Sequence, residues 1–227
     1  MAERWRTING RRVLIGADGG GSGTVVTVGL AAAMILGSGG VVGVGEVGSS
    51  AVSVRTVRAH KADAKRAARS RKPDQAWRRI GMRRLRQPVS RRNLSCVLAT
   101  FGEVRRTLIR HPCTSLERIL FPIADARGNT ALVSVAWVRF RTSGDRRQFQ
   151  KVIDVYGTGD IKPLAAGPLG LAGVRFTGRY YGSVPRGMRL TVAEAEAVRG
   201  TFKPEVLDGI AEIAAELPSP PGRRRRR

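Results

Sequence analysis

The chain has 227 residues, with 41 Lys and Arg against 17 Asp and Glu and a formal net charge of +24. Its hydrophobic fraction of 42% is enough for a packed core, which excludes a globally disordered chain. Two cysteines and two histidines exclude a disulfide-dense scaffold and a four-cysteine zinc site, so we expect no metal and no other cofactor. The length allows one ordinary domain with appendages, or two small domains.

The first distinct feature along the chain is an uncharged stretch. Residues 24–45 contain no Asp, Glu, Lys or Arg. As a helix they would span about 33 Å, enough to cross the hydrocarbon core of a bilayer. The sequence therefore predicts an N-terminal tail over 1–18 and a transmembrane anchor over 19–48. Two alternatives stay open: a cleavable signal peptide with its apolar part at 24–36, and a Gly-rich buried strand–turn–strand.

Two glycine motifs lie within or beside this stretch. Gly39 and Gly43 form a G-x-x-x-G pattern, which is typical of helix pairing in membranes and would allow a homodimer through the anchor. Residues 43–48 match G-x-G-x-x-G, but a basic run follows them in place of the strand and helix that a dinucleotide site needs. We therefore interpret these glycines as part of a membrane helix.

Residues 49–92 form the most basic part of the chain. They hold fifteen Lys and Arg against two Asp, with a thin apolar stripe, and we predict a basic linker. It either contacts anionic lipid or another polyanion or is a solvated spacer. The arginines that we expect at such a contact are Arg78, Arg79, Arg83, Arg84 and Arg86. By the positive-inside rule this charge favours a cytoplasmic C-terminal part, in which the linker would bind nucleic acid or anionic lipid at the membrane.

Residues 93–218 are predicted to form an α+β domain, followed by a Pro/Arg-rich tail over 219–227. The predicted element order is α-β-β-α-β-β-α, as a four-stranded antiparallel sheet with helices on one face. Periodicity and turn residues place the helices at 100–110, 144–156 and 204–217, and the strands at 116–124, 130–141, 174–183 and 188–198. Thr100 and Glu103 fit a capping box that opens the first helix.

The two cysteines flank the first predicted helix. If that helix starts at the Thr100 cap, residues 96–99 can fold back along it and bring Cys96 to Cys113. A disulfide needs an oxidising compartment, which places the domain on the outer side of the membrane. The alternative is a pair of buried free thiols in a cytoplasmic domain. The cysteines and the positive-inside rule thus favour opposite orientations.

Candidate chemistry is sparse. Asp154, Tyr156 and Asp160 surround a Gly-rich turn and form a candidate ligand site, because their oxygens can accept hydrogen bonds or bind a cation. Glu194 and Glu196 are two apart on a predicted strand, as either a paired carboxylate or, more plainly, a solvent-facing row.

His111 lies next to Cys113, as either a nucleophilic pair or an ordinary helix-end histidine. The sequence has no Ser/His/Asp set, P-loop or metal cluster, so we expect no catalytic residues and no enzyme. A hydrolase would require an organised pocket around Asp154, Asp160 or His111.

Several short segments resemble uncharacterised single-pass membrane-anchored proteins of actinomycetes. They are Cys96, His111-Pro-Cys-Thr-Ser-Leu116, Val133-Ser-Val-Ala-Trp137, Tyr156-Gly-Thr-Gly-Asp160, Phe176-Thr-Gly-Arg-Tyr-Tyr181 and Ala193-Glu-Ala-Glu196. The resemblance implies an anchor followed by a domain, and it implies no activity and no functional residues.

We therefore expect a single-pass membrane protein with a non-enzymatic extracytoplasmic domain for binding or interaction. Its expected partners are membrane lipid and a cell-envelope polymer or another envelope protein, with nucleic acid disfavoured. The alternative is a cytoplasm-facing, membrane-tethered basic protein that binds nucleic acid or anionic lipid through residues 55–92.

Overall fold

In the computed structural model of the chain, the structure describes residues 4–8, 11–15, 51–93, 95–171 and 173–220. The predicted anchor over 19–48, with its glycine motifs, lies outside the described residues. Within them, no helix has the length and apolar character needed to cross a membrane. Near the N-terminus, strands β1 (Arg4–Ile8) and β2 (Arg11–Ile15) pair as an antiparallel hairpin.

The main body is an α+β domain with five helices and a six-stranded antiparallel sheet. The helices are α1 (Val54–Arg69), α2 (Pro73–Arg79), α3 (Gly102–Arg110), α4 (Ser143–Ile153) and α5 (Pro204–Ala214). The strands are β3 (Met82–Arg84), β4 (Val89–Asn93), β5 (Cys113–Asp125), β6 (Thr130–Phe140), β7 (Tyr181–Arg186) and β8 (Arg189–Arg199).

The sheet has the order β3-β5-β6-β8-β7, and β4 pairs with β5 on the same edge as β3. The predicted α-β-β-α-β-β-α order corresponds to α3-β5-β6-α4-β7-β8-α5, so the order and the antiparallel pairing are confirmed. The count of four strands is wrong. The two additional strands come from residues 82–93, most of which were predicted as linker.

Helices cover both faces of this sheet, which corrects the prediction of helices on one face. Helices α1, α2 and α5 pack on the face that carries Val133, Val135 and Trp137. Helices α3 and α4 pack on the face that carries Val138 and Phe140. The physical reason is visible in β6, whose apolar residues follow one another without alternation, because a strand that is buried on both faces has no polar side.

The region predicted as a basic linker folds as part of the domain. Helix α1 begins at the N-cap Ser53, whose Oγ accepts a hydrogen bond from the Thr56 N–H at 3.1 Å. Its buried side is narrow and consists of small side chains: Val57, Ala64, Ala67 and Ala68. Such side chains let α1 lie close to α5, where Lys61 and Lys65 both pair with Glu212, at 3.1 and 2.6 Å.

Two local predictions also change. Thr100 is not the cap of α3, because its Oγ1 donates back to the carbonyls of Cys96 and Val97; the N-cap residue is Phe101. Strand β7 lies at Tyr181–Arg186 rather than 174–183, and the residues before it form a long loop over the sheet.

Candidate functional site

The predicted disulfide joins Cys96 and Cys113, with the Cα atoms 6.3 Å apart. A short 3₁₀ turn, Val97–Ala99, folds the chain back before α3, as the prediction required. The bond indicates an oxidising environment for this domain. His111 does not form a nucleophilic pair with Cys113, whose sulfur is in the disulfide; its Nδ1 lies 2.9 Å from Oδ1 of Asp145.

The turn that follows α4 crosses the start of α3 at close range. The N–H of Phe101 donates to the Asp160 carbonyl at 3.1 Å, and the N–H of Glu103 donates to the Thr158 carbonyl at 2.6 Å. Gly159 has a φ of +105°, and a Cβ on it would lie 2.9 Å from the Cα of Gly102. The crossing therefore requires glycine, and it fixes the position of Asp160.

This crossing forms one side of a pocket of about 200 Å³, which we call the carboxylate pocket. Two of its carboxylates belong to side chains that are almost fully buried: Asp160, 9% exposed, and Glu194, 6% exposed. Its remaining side-chain walls are mainly apolar or aromatic: Phe101, Tyr156, Ile161, Pro163 and Phe176. The pocket thus combines two buried carboxyl groups with an aromatic lining.

Hydrogen bonds from neighbouring strands hold the surroundings of this pocket. Asp154, at the end of α4, accepts from the hydroxyl of Tyr181 at 2.7 Å and from that of Ser183 at 2.8 Å. Glu196 accepts from both the N–H and the hydroxyl of Thr177, at 2.7 and 2.5 Å. These bonds tie α4 and the loop before β7 to the sheet.

The structure therefore brings together two of the three residues of the predicted ligand turn. Tyr156 and Asp160 line the pocket, whereas Asp154 lies beside it and is bonded to β7. Glu194 is not on a solvent-facing row, because the long loop before β7 covers it. The signal for this site was that loop itself, residues 157–180, since long irregular segments in compact domains commonly carry function.

The arrangement suits recognition of a donor-rich or cationic group. Ionised carboxylates accept charge-assisted hydrogen bonds, and aromatic faces attract cations. In the described part of the chain, no three His, Cys, Asp or Glu side chains cluster in a way that could hold a metal ion.

The predicted polyanion contact lies elsewhere on the domain. A groove of about 420 Å³ brings together four of its five arginines, Arg78, Arg83, Arg84 and Arg86, and we call it the arginine groove. Arg79 belongs to a neighbouring depression and lies 3.8 Å from Asp63. Because α2 and β3 are folded, these arginines form a fixed surface instead of a solvated spacer.

No family model, curated protein or solved structure matches this chain. We therefore base the function on the geometry of its own sites.

Proposed function

We propose that this protein is a single-pass membrane protein whose α+β domain lies outside the cytoplasm and binds a ligand without catalysis. The carboxylate pocket carries the proposal. In a chain of net charge +24, two nearly buried acidic side chains, Asp160 and Glu194, meet in one aromatic-lined cavity. A carboxyl group has several lone-pair sites, so besides its bonds within the protein, such as the one from the Ile161 N–H to Oδ1 of Asp160 at 2.8 Å, it can accept hydrogen bonds from a ligand.

The chemistry of the walls favours a protonated amine as the group that the pocket recognises. Its N–H donors would bond to the carboxylates of Asp160 and Glu194, and its charge would lie against the rings of Phe101, Tyr156 and Phe176. A pocket of about 200 Å³ is smaller than the roughly 300–1,000 Å³ of sites that enclose a drug-sized ligand. The pocket therefore takes the amine end of a ligand, not a whole large molecule.

Two observations support the location. The Cys96–Cys113 disulfide favours an oxidising compartment, and the uncharged residues 24–45 have the length and composition of a membrane anchor. A cell-envelope polymer or an envelope protein that bears an exposed amine would then be the partner of this domain.

The proposal is tested by titrating cadaverine into the full-length protein in neutral nanodiscs. Isothermal calorimetry measures the binding, and backbone NMR shifts locate it. We expect saturable binding with shifts around residues 156–161 and 176–178, and none with pentanediol, which has the same chain length without the charge. Glu194→Gln should weaken binding about tenfold, the effect of one lost charge-assisted hydrogen bond. The matched control Glu205→Gln, exposed at the start of α5, should change nothing.

If both variants weakened cadaverine binding equally, the effect would come from the overall charge of the protein and not from the pocket. Absence of saturable binding to the unaltered protein would remove the amine proposal.

A further inference from the structure

A second cavity lies on the opposite face of the sheet from the carboxylate pocket. It has a volume of about 190 Å³ and lies between α2, strands β5 and β6, and the segment that follows α5. We call it the tryptophan cleft; its apolar walls are Trp77, Ile119, Phe121, Trp137 and Leu217, and its mouth carries Arg71 and Arg84. An apolar cavity with arginines at its mouth has the polarity of a site for an amphiphilic anion.

Trp77 supplies a hydrogen-bond donor without a partner. The side chain is fully buried, and its indole Nε1 finds no acceptor among the described residues. The other indole in the cleft is satisfied, because Nε1 of Trp137 donates to the Leu217 carbonyl at 2.7 Å. Because Nε1 of Trp77 is itself buried, Trp77 contributes an apolar ring to the wall of the cleft, and the polar recognition falls to the arginines.

Arg71 stands at the mouth in an unusual backbone conformation. It has a φ of +59° and is the one non-glycine residue with a positive φ in the described part of the chain. The position ends α1, where glycine is the residue that adopts this conformation most easily. An arginine there has a conformational cost, and it places a guanidinium at the mouth of the cleft.

The cleft adjoins the arginine groove, because Arg84 lines both. Arg84 is itself paired with Asp74 at 3.2 Å. In contrast, none of the carboxylates that the structure describes pairs with Arg78, Arg83 or Arg86. A hydrophobic cavity therefore lies beside a group of arginines, three of which have no ion pair with a described carboxylate.

We propose that the tryptophan cleft binds an anionic amphiphile, a fatty carboxylate or an alkyl phosphate. The headgroup lies between Arg71 and Arg84. The hydrocarbon packs against Phe121 and Trp137. The cavity is too small for a whole acyl chain, so only a short segment beside the headgroup is enclosed. This site goes beyond the amine pocket, because it takes a ligand of opposite charge on the other face of the sheet.

Quenching of tryptophan fluorescence by a brominated amphiphile tests the proposal directly, because Trp77 and Trp137 both line the cleft. The full-length protein with Trp5→Phe, in neutral phosphatidylcholine nanodiscs, is titrated with 6-bromohexanoate and with 6-bromohexanol, whose bromine lies on the short segment that the cleft encloses. We expect saturable quenching by the carboxylate and at least tenfold weaker quenching by the alcohol. The alcohol enters the nanodisc equally well, so equal quenching by both would overturn the proposal.

Two variants separate the cleft from general basicity. Arg71→Gly removes the charge at a position that suits glycine, so the fold is retained and binding weakens about tenfold. Pro220→Phe places a bulky ring at an exposed position of the cleft lining and should abolish the quenching. The matched control Arg105→Ala removes an exposed charge from α3, and quenching stays unchanged. Unchanged quenching in Arg71→Gly, or an equal loss in Arg105→Ala, would contradict the proposal.

Further experiments distinguish a membrane lipid from a free amphiphile, and either of these from a simple polyanion. Quenching by brominated phosphatidylglycerol in the nanodisc, with no added fatty acid, assigns the site to membrane lipid. Quenching by 6-bromohexanoate alone assigns it to a free amphiphile. Binding of inorganic phosphate or duplex DNA to this surface, with no quenching by either brominated probe, would replace the amphiphile with a simple polyanion contact.

Discussion

Asp125 shows how one buried side chain can organise the domain. It is 1% exposed and accepts hydrogen bonds from the N–H groups of Val52, Arg127 and Asn129, at 3.0, 2.9 and 3.0 Å, and from the amide of Asn129 at 2.8 Å. Burial alone would raise the pKa of Asp125, but these hydrogen bonds outweigh it and hold the pKa below its ordinary value. The side chain thereby joins the start of α1 to the β5–β6 turn.

We predict that Asp125→Asn destabilises the domain by about 2 kcal/mol at pH 7. The NH₂ group of asparagine would face N–H donors, where a carboxylate oxygen now accepts hydrogen bonds from them. Urea unfolding measures the change in the free energy of unfolding. The folded pKa is depressed, so the stability that ionised Asp125 contributes is present above the unfolded pKa of about 3.9 and is lost as the pH falls through the folded pKa. The difference between the two proteins should therefore narrow in acid.

Asp74→Asn is the control for this prediction. It removes an exposed ion pair with Arg84 and should cost less than about 1 kcal/mol. A difference between Asp125→Asn and the unaltered protein that stays constant into acid would contradict the proposed role of the ionised carboxylate.

Also at the residue scale, the sequence predicted part of the pocket and missed its more buried carboxyl group. Tyr156 and Asp160 could be found because a Gly-rich turn after a helix is a local pattern. The burial of Glu194 could not be found, because alternating Ala and Glu along a strand has the pattern of one polar face. Glu194 is buried because the long loop returns over the sheet. The position of that loop depends on tertiary packing, which the local sequence pattern does not show.

At the scale of elements, the main surprise is that residues 51–93 belong to the domain. Alanines contribute little hydrophobic area, so the apolar stripe of α1 is weak in the sequence although Ala64 and Ala68 are fully buried. The central strands β5 and β6 were predicted well, since their apolar runs are long and bounded by turn residues. The prediction placed β7 too early in the sequence, because Val174 and Phe176 alternate as in a strand. In the structure they are loop residues that cover the sheet.

We predict that a chain starting at residue 93 does not fold stably, whereas one starting at residue 51 does, both ending at residue 220. Without α1 and α2, the apolar face of α5 and the indole-bearing side of the sheet are exposed, and β5 becomes an uncovered edge. Circular dichroism and binding of an apolar dye measure the difference. A cooperative thermal transition of equal midpoint in both chains would contradict it.

At the scale of the whole molecule, two cavities of different polarity lie on opposite faces of the sheet. One face holds the carboxylate pocket, and the other holds the tryptophan cleft beside the arginine groove. This arrangement fits a domain that contacts an amine-bearing partner on one side and an anionic amphiphile on the other.

The central claim is that the domain works outside the cytoplasm, and the redox state of its cysteines in cells tests it most directly. Cells that produce the full-length protein are quenched in acid, and the denatured protein is alkylated with a mass-tagging maleimide, with and without prior reduction. We predict a mass shift at Cys96 and Cys113 only after reduction, because the disulfide persists in an oxidising compartment. A complete shift without reduction would place the thiols in a reducing compartment and contradict the account.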